Sequence, residues 1–343
     1  MRYKVSDIAD IINVSIKSPS NCGINIFVGL EHYDVGEPVI TRYGSTDMLT
    51  TAVKKFNSGD ILLARRNVYL RRAGKVDFDG VTSGDSIVIR VKSDLSKMED
   101  CDSIVMKSLL PFILNTNIFW DYANTNSDGT MSKRLSPQML LDYEFDLPPL
   151  EEQKVLTDKL WAAYRLKESY KKLLAATEEM VKSQFIEMFK GDFPKLSWEE
   201  CLTIINGKKY DDDYQESGTY PICGSGGIMG YGERMLCPKD TVILGRKGNI
   251  NSPIYMKTDY WIVDTAFCLD VDRNKLHPKY FYFWCKLFDF TRYNKQGVLP
   301  SLTKNDLLKI EIPIPPMELQ TKFVDIIEQA DKSGSVLQYR IAC

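Results

Sequence analysis

Histidine is nearly missing from this chain: its 343 residues hold only His32 and His277. Two imidazoles far apart in sequence give histidine-based acid–base or nucleophilic chemistry little to work with. The eight cysteines contain no C-x-x-C pair, which argues against a zinc site, because such sites need thiolates or imidazoles clustered at tight spacing. Scattered thiols fit a reducing cytosol. No apolar run approaches a membrane span, and the start Met1-Arg-Tyr-Lys-Val-Ser-Asp7 has no signal-peptide core, so a cytoplasmic protein without membrane contact is expected. A marked excess of charge of either sign is also missing. The 44 Lys and Arg against 46 Asp and Glu leave a net −2, which excludes a broadly basic nucleic-acid coat but not a local basic face. No G-x-x-x-x-G-K-[ST] phosphate loop exists, since Gly207-Lys208-Lys209 lacks the upstream glycine that the backbone cradle needs. The proline pairs follow Leu147 and Ile314 rather than Asp or Asn, unlike the motif of amino-methyltransferases. Glu152-Gln153-Lys154 has the Glu-x-Lys spacing of metal-dependent nucleases, but it sits in a helix start with no Pro-Asp partner.

What is present is a repeat. Leu147-Pro-Pro-Leu-Glu-Glu-Gln153 returns as Ile314-Pro-Pro-Met-Glu-Leu-Gln320, so that Pro148 recurs as Pro315. Ile11-Ile12-Asn13 matches Ile204-Ile205-Asn206, and Asp60-Ile-Leu-Leu-Ala-Arg-Arg66 matches Asp240-Thr-Val-Ile-Leu-Gly-Arg246. Three landmarks in one order, at a period far too long for a solenoid, imply a duplicated domain-plus-helix. Hydrophobic content of 44% is enough to give each copy a core. We expect an α+β protein: a first domain over 1–149, a long helix over 150–190, a second domain over 191–313 and a short distal helix over 314–343.

The elements follow from local pattern. Asp60–Arg65, Ser86–Val91, Thr241–Leu244 and Ala266–Val271 read as strands, being β-branched and apolar; Ser58-Gly59 and Ser83-Gly84 bound the first two. Helical spacing predicts helices over Ser103–Thr116 and about Pro278–Phe288. From Glu151 to about Lys190 there is no Pro or Gly, and Leu156, Leu160, Ala163, Tyr170, Leu174, Val181 and Met188 form a stripe interrupted by Lys167, Thr177 and Gln184. Such a stripe needs a partner helix, which favours a rigid spacer over a core helix of one domain. The second copy opens a helix at Glu318, with Phe323 and Ile327 standing where Leu156 and Leu160 stand; its pattern weakens after Asp331-Lys-Ser-Gly334.

Candidate chemistry is binding chemistry. Arg65, Arg66, Asn67, Tyr69, Arg71 and Arg72 leave a strand into a turn closed by Gly74, where arginine forks and an amide can reach phosphates or base edges. In the second copy Arg246, Lys247 and Asn249 leave the matching strand between glycines. Lys208, Lys209 and Tyr210 precede the glycine-rich Tyr220–Tyr231 segment, which carries Ser225 and Gly226. Late in each copy come Lys133 and Arg134, and Lys295 and Gln296. Each cluster alone reads as a solvated loop; recurrence at matching positions makes them a group. Tyr280-Phe-Tyr-Phe-Trp284 falls densely on a predicted helix and reads as core rather than as a stacking platform. Asp211-Asp-Asp213 reads as an acidic turn rather than a metal site.

Across essentially the whole chain this arrangement resembles the specificity subunits of type I restriction–modification systems. The resemblance rests on the two proline-pair segments, the Tyr220-Pro-Ile-Cys-Gly-Ser-Gly-Gly227 loop, Leu244-Gly-Arg-Lys-Gly248 and Leu299-Pro-Ser-Leu-Thr303. It implies that each domain is a target recognition domain of mixed or antiparallel sheet with helices, reading one half of a split double-stranded DNA site. The two long conserved-region helices then form an antiparallel coiled coil that fixes the gap. It also implies no active site or cofactor in this chain. Two modification subunits with S-adenosylmethionine would dock on the helices, and a restriction subunit using ATP and magnesium would join. Two departures stand out: the last helix is short, and the first domain lacks a Gly-Ser-Gly-Gly loop. A scaffold carrying two protein- or ligand-binding domains on a coiled coil is the alternative, and the near-neutral charge is its support. A self-sufficient nuclease or methyltransferase is disfavoured by the missing motifs.

Overall fold

The structure is a computed structural model; it describes every residue except 18, 20–22, 48, 130–131, 212–213, 295–299 and 343, and the side chains of 333–342 also lie outside it. The chain divides into two compact units, Met1–Leu166 and Lys167–Cys343. In the first unit the strands are β1 (Arg2–Lys4), β2 (Ala9–Ile12), β3 (Ser15–Ile16), β4 (Ile26–Val28), β5 (Gly44–Ser45), β6 (Val53–Phe56), β7 (Ile61–Ala64), β8 (Ala73–Lys75), β9 (Gly80–Thr82), β10 (Ser86–Val91) and β11 (Glu144–Asp146). Helices α1 (Val5–Ile8), α2 (Ser103–Ile113), α3 (Asn117–Thr125) and α4 (Pro137–Leu141) lead to the long α5 (Leu150–Met188). The sheets run β1-β11, β2-β10-β7-β8 and β3-β6-β9-β4-β5. β7 is buried on both faces, which is why it reads as a continuous apolar run rather than an alternating one. Ile61 and Leu63 meet α2 and α3 residues such as Leu110 and Phe119, while Leu62 and Ala64 meet Val28 and Phe56 of the other sheet.

The second unit repeats this plan with β12 (Lys195–Ser197), β13 (Leu202–Asn206), β14 (Tyr220–Gly224), β15 (Gly227–Gly232), β16 (Thr241–Gly245), β17 (Ile254–Met256), β18 (Trp261–Ile262), β19 (Ala266–Val271) and β20 (Glu311–Pro313). Its helices are α6 (Trp198–Cys201), α7 (Pro278–Leu287), α8 (Lys304–Leu307) and α9 (Met317–Ala342). The sheet β13-β19-β16-β17 matches β2-β10-β7-β8, and the pair β12-β20 matches β1-β11. Ile12 faces Val88 as Ile205 faces Cys268, as the second landmark requires. The third landmark is off by one. Ala64 pairs with Ser86, and Gly245 with Ala266; hence Arg65, not Arg66, is the counterpart of Arg246. A one-residue slip would turn every side chain to the wrong face, and the cores agree with the corrected register: Leu63 and Leu244 both point to the helices. Tyr280, Phe281 and Phe283 are buried on α7, as core residues.

The proline-pair landmark is a clamp. The Gln153 and Gln320 side chains are fully buried. Gln153 Nε2 donates to Asp100 O at 2.7 Å and Pro148 O at 2.8 Å; Gln320 Nε2 donates to Lys275 O and Pro315 O, both at 2.9 Å. Each glutamine thus fastens a helix start to its own unit, and the Glu-x-Lys spacing around Gln153 is a by-product of that helix start. On α5 the inward face differs from the expected stripe. Leu160, Tyr170, Leu174, Val181 and Met188 are buried or half-buried, but Leu156 and Ala163 are exposed, and Gln153, Thr157 and Phe185 are buried instead. Within the second unit, α5 and α9 pack together: Phe323 meets Phe185 and Phe189 edge to face, while Leu174 and Val181 line a groove with Ile327 and Ala330. Earlier residues of one helix meet later residues of the other, so the pair is antiparallel. The distal helix continues through Gly334, because one glycine costs a helix only about 1 kcal/mol. It is nevertheless shorter than α5, 26 residues against 39.

Candidate nucleic-acid interface

In both units the loop after the central strand is tied by the same backbone hydrogen bonds. Arg65 N–H donates to Asp85 O at 2.9 Å, and Arg246 N–H to Thr265 O at 2.8 Å. Leu135 N–H reaches Arg65 O as Leu302 N–H reaches Arg246 O, both at 2.9 Å. Asn67 N–H donates to Lys133 O, and Gly248 N–H to Pro300 O. Both Asn67 (φ 54°) and Gly248 (φ 79°) are left-handed, a conformation glycine adopts freely and asparagine tolerates. Ser136 and Thr303 then cap α4 and α8. One frame therefore presents two sets of residues: Arg65, Arg66, Asn67 and Arg134 in one unit, Arg246, Lys247, Gly248 and Ser301 in the other.

In the first unit the loop is basic and crowded. Arg66 Nη1 lies 3.7 Å from Asp85 Oδ2, and Arg134 Nη2 lies 3.6 Å from Asp85 Oδ1. Arg66 Nε donates to Ser132 Oγ at 3.1 Å. The Arg65 Nε is buried with no partner among the described residues. Lys54, which donates to Ser86 O, is held below its ordinary pKa by burial and by the Arg65 charge. Arg72 bonds Leu30 O and Arg66 O, and burial lowers its pKa. Arg71 bonds Asn117 Oδ1 at 2.7 Å, Lys133 bonds Asn124 O at 2.9 Å, and Tyr69 is exposed. Arg71, Arg72 and Lys133 thus also brace the loop.

In the second unit Lys247 and Asn249 are exposed and Arg246 is half-buried, its guanidinium 5.8 Å from the Phe267 ring centre. Thr265 Oγ1 accepts from Ser225 N–H at 3.3 Å, bringing the glycine-rich hairpin turn to the Arg246 loop. A Cβ on Gly245 would lie 1.9 Å from Asn249 O, so this strand end must be glycine. Gly226, Lys208 and Lys209 are exposed. Tyr210 is inside: only 6% exposed, it accepts from Glu233 N–H and lies with Trp261 beneath the Arg234 guanidinium. Its ring offers no free face to a base. Lys295, Gln296, Asp212 and Asp213 lie outside the described residues. Sequence reasoning missed Lys54, on β6, Ser132, in a bend, and Asp85 and Thr265, whose signal is the turn place immediately before the matched strands β10 and β19. No helix among the described residues is long and apolar enough to cross a membrane.

A duplicated α+β unit, each copy clamped by a buried glutamine to a long helix, defines a class that comparison with known proteins identifies. Residues 192–340 match the family model "Type I restriction modification DNA specificity domain". The EcoDI type I restriction enzyme specificity subunit of Escherichia coli is 24% identical over 215 residues, which are 61% of this chain and 45% of that protein. The chain therefore spans less than half the length of that curated relative. The crystal structure of a type I restriction–modification S subunit from M. genitalium aligns with TM-score 0.63 and 13% identity, over all of this chain and 92% of that one. A structure of the type I system solved for its complex assembly and conformational transition aligns at 0.55 with 17% identity, again over 100% and 92%. Residues 192–340 are thus similar to a type I restriction–modification DNA specificity domain, and over its whole length the chain is similar in fold to these solved type I restriction–modification structures. The match to the family model covers the second unit; the shared hydrogen-bond frame extends the likeness to the first.

Proposed function

We propose that this chain is the DNA-sequence-specificity subunit of a type I restriction–modification complex, each unit reading one half of a bipartite duplex target. The observation that carries this reading is the common backbone frame with different side chains at equivalent places. Related domains can dock on a duplex alike while contacting different base edges. The proposed contacts are Arg65, Arg66, Asn67, Tyr69, Arg71, Arg72, Lys133 and Arg134 in the first unit, and Lys208, Lys209, Ser225, Gly226, Arg246, Lys247 and Asn249 in the second. The helices set the gap between half-sites and receive two modification subunits. Leu173 and Met180, one heptad apart on α5 and each 50% exposed, support helix docking there. The chain is non-catalytic in this reading: S-adenosylmethionine sits on the modification subunits, ATP and magnesium serve a restriction subunit, and the complex works in the cytoplasm. Methylome sequencing of host cells with and without the gene tests it. A two-part methylated motif with a fixed gap should vanish on deletion; an unchanged methylome would contradict the proposal.

A further inference from the structure

The two units differ most at one point of their common frame. Where the first has Asp85, Arg66 and Arg134, the second has Thr265, Lys247 and Ser301. The Asp85 carboxylate stands between two guanidiniums at 3.6 and 3.7 Å, longer than a hydrogen bond, and is itself only 28% exposed. Neither arginine is saturated, since their side chains are 46% and 49% exposed. Lys54 nearby feels the charges of both Arg65 and Asp85. Two guanidiniums thus flank one carboxylate and hold open edges side by side.

We propose that Asp85 is the positioning residue of a phosphate clamp peculiar to the first unit, in which Arg66 and Arg134 grip one backbone phosphate of the duplex. The clamp rests on the DNA-reading function proposed above. Asp85 orients both guanidiniums before binding, so less side-chain freedom is lost when the phosphate arrives. Its own negative charge weakens attraction to any phosphate met in the wrong register. A positioned phosphate fixes the loop on the duplex without itself reading sequence. In the second unit Thr265 ties down the glycine-rich hairpin instead, so only Lys247 is left for the equivalent contact.

The test is fluorescence anisotropy of the full chain against a labelled duplex taken from a randomised pool by selection on the wild type, and against its scrambled counterpart, across a salt series. Each lost phosphate contact should flatten the dependence of log affinity on log salt by about 0.9. Arg66→Gln with Arg134→Gln, which together free one phosphate, should therefore flatten it by about 0.9, and Lys247→Gln likewise by about 0.9. Asp85→Asn should keep or strengthen binding to the scrambled duplex yet lower the preference for the selected one by about ten-fold. Asp85→Glu should restore that preference, which a merely structural role would not require. Slopes unchanged by the double arginine variant, or a preference unchanged by Asp85→Asn, would overturn the clamp alone. A wild-type chain that binds no duplex would overturn the DNA-reading function and the clamp with it.

Discussion

Removing the Gln320 side chain should loosen the second unit more than removing Gln153 loosens the first. Gln320 is fully buried and makes three hydrogen bonds: its Nε2 donates to Lys275 O and Pro315 O, and its Oε1 accepts from His277 N–H at 2.8 Å. Gln153 makes the same two donations, but its Oε1 has no partner among the described residues. Gln320→Ala leaves two carbonyls and one N–H without partners, at about 1–2 kcal/mol each, for a total of about 4 kcal/mol. Gln153→Ala leaves two carbonyls, costing about 2–3 kcal/mol. For units of this size those losses lower the melting temperature by about 8–16 °C and about 4–12 °C respectively. Calorimetry of the full chain measures both. Equal shifts, or a Gln320→Ala loss below about 1 kcal/mol, would refute the reading of the repeated glutamine as a clamp.

Three further outcomes follow from the geometry. His277 caps α7 through its Nδ1, and burial, then the Lys279 charge, hold its imidazole below the ordinary 6.5. The unfolded chain therefore takes up the proton first, so the second unit should lose stability as pH falls through about 6.5 and regain it above; His277→Asn, which keeps a capping acceptor, should flatten that dependence in urea titrations. Gly248→Asn should be tolerated, since Asn67 holds the equivalent left-handed place and the nearest atom to an added Cβ, Ser225 Oγ, is 4.0 Å away; Gly248→Val should cost about 1–2 kcal/mol more in the same titrations. Arg246→Ala should weaken binding to the selected duplex while leaving the melting temperature within a few degrees; unchanged affinity would remove Arg246 from the contact set.

Much of the duplication was legible because the strands after Gly59 and Gly84 and the proline pairs are marked by residues whose backbone behaviour is nearly obligatory. The third landmark misled by one residue because its letters matched where its geometry did not. Asp60 is buried against Arg90, whereas Asp240 occupies a left-handed turn before its strand. The stripe on α5 went astray at its start because the inward positions there are polar, Gln153 and Thr157, and satisfy backbone carbonyls rather than pack. Tyr210 looked like part of a basic and aromatic surface cluster, but the Arg234–Trp261 stack takes its ring inside. Asp85 and Thr265 were invisible because they act on loops far along the chain, chiefly through backbone carbonyls that any residue supplies.

The most direct test of two units reading two half-sites is selection of bound duplexes from a randomised pool by the full chain, repeated with Arg65→Ala and with its counterpart variant Arg246→Ala. The account predicts a two-part preference with a fixed gap, in which each variant relaxes one half and leaves the other intact. A single contiguous preference, or variants that relax both halves together, would contradict it.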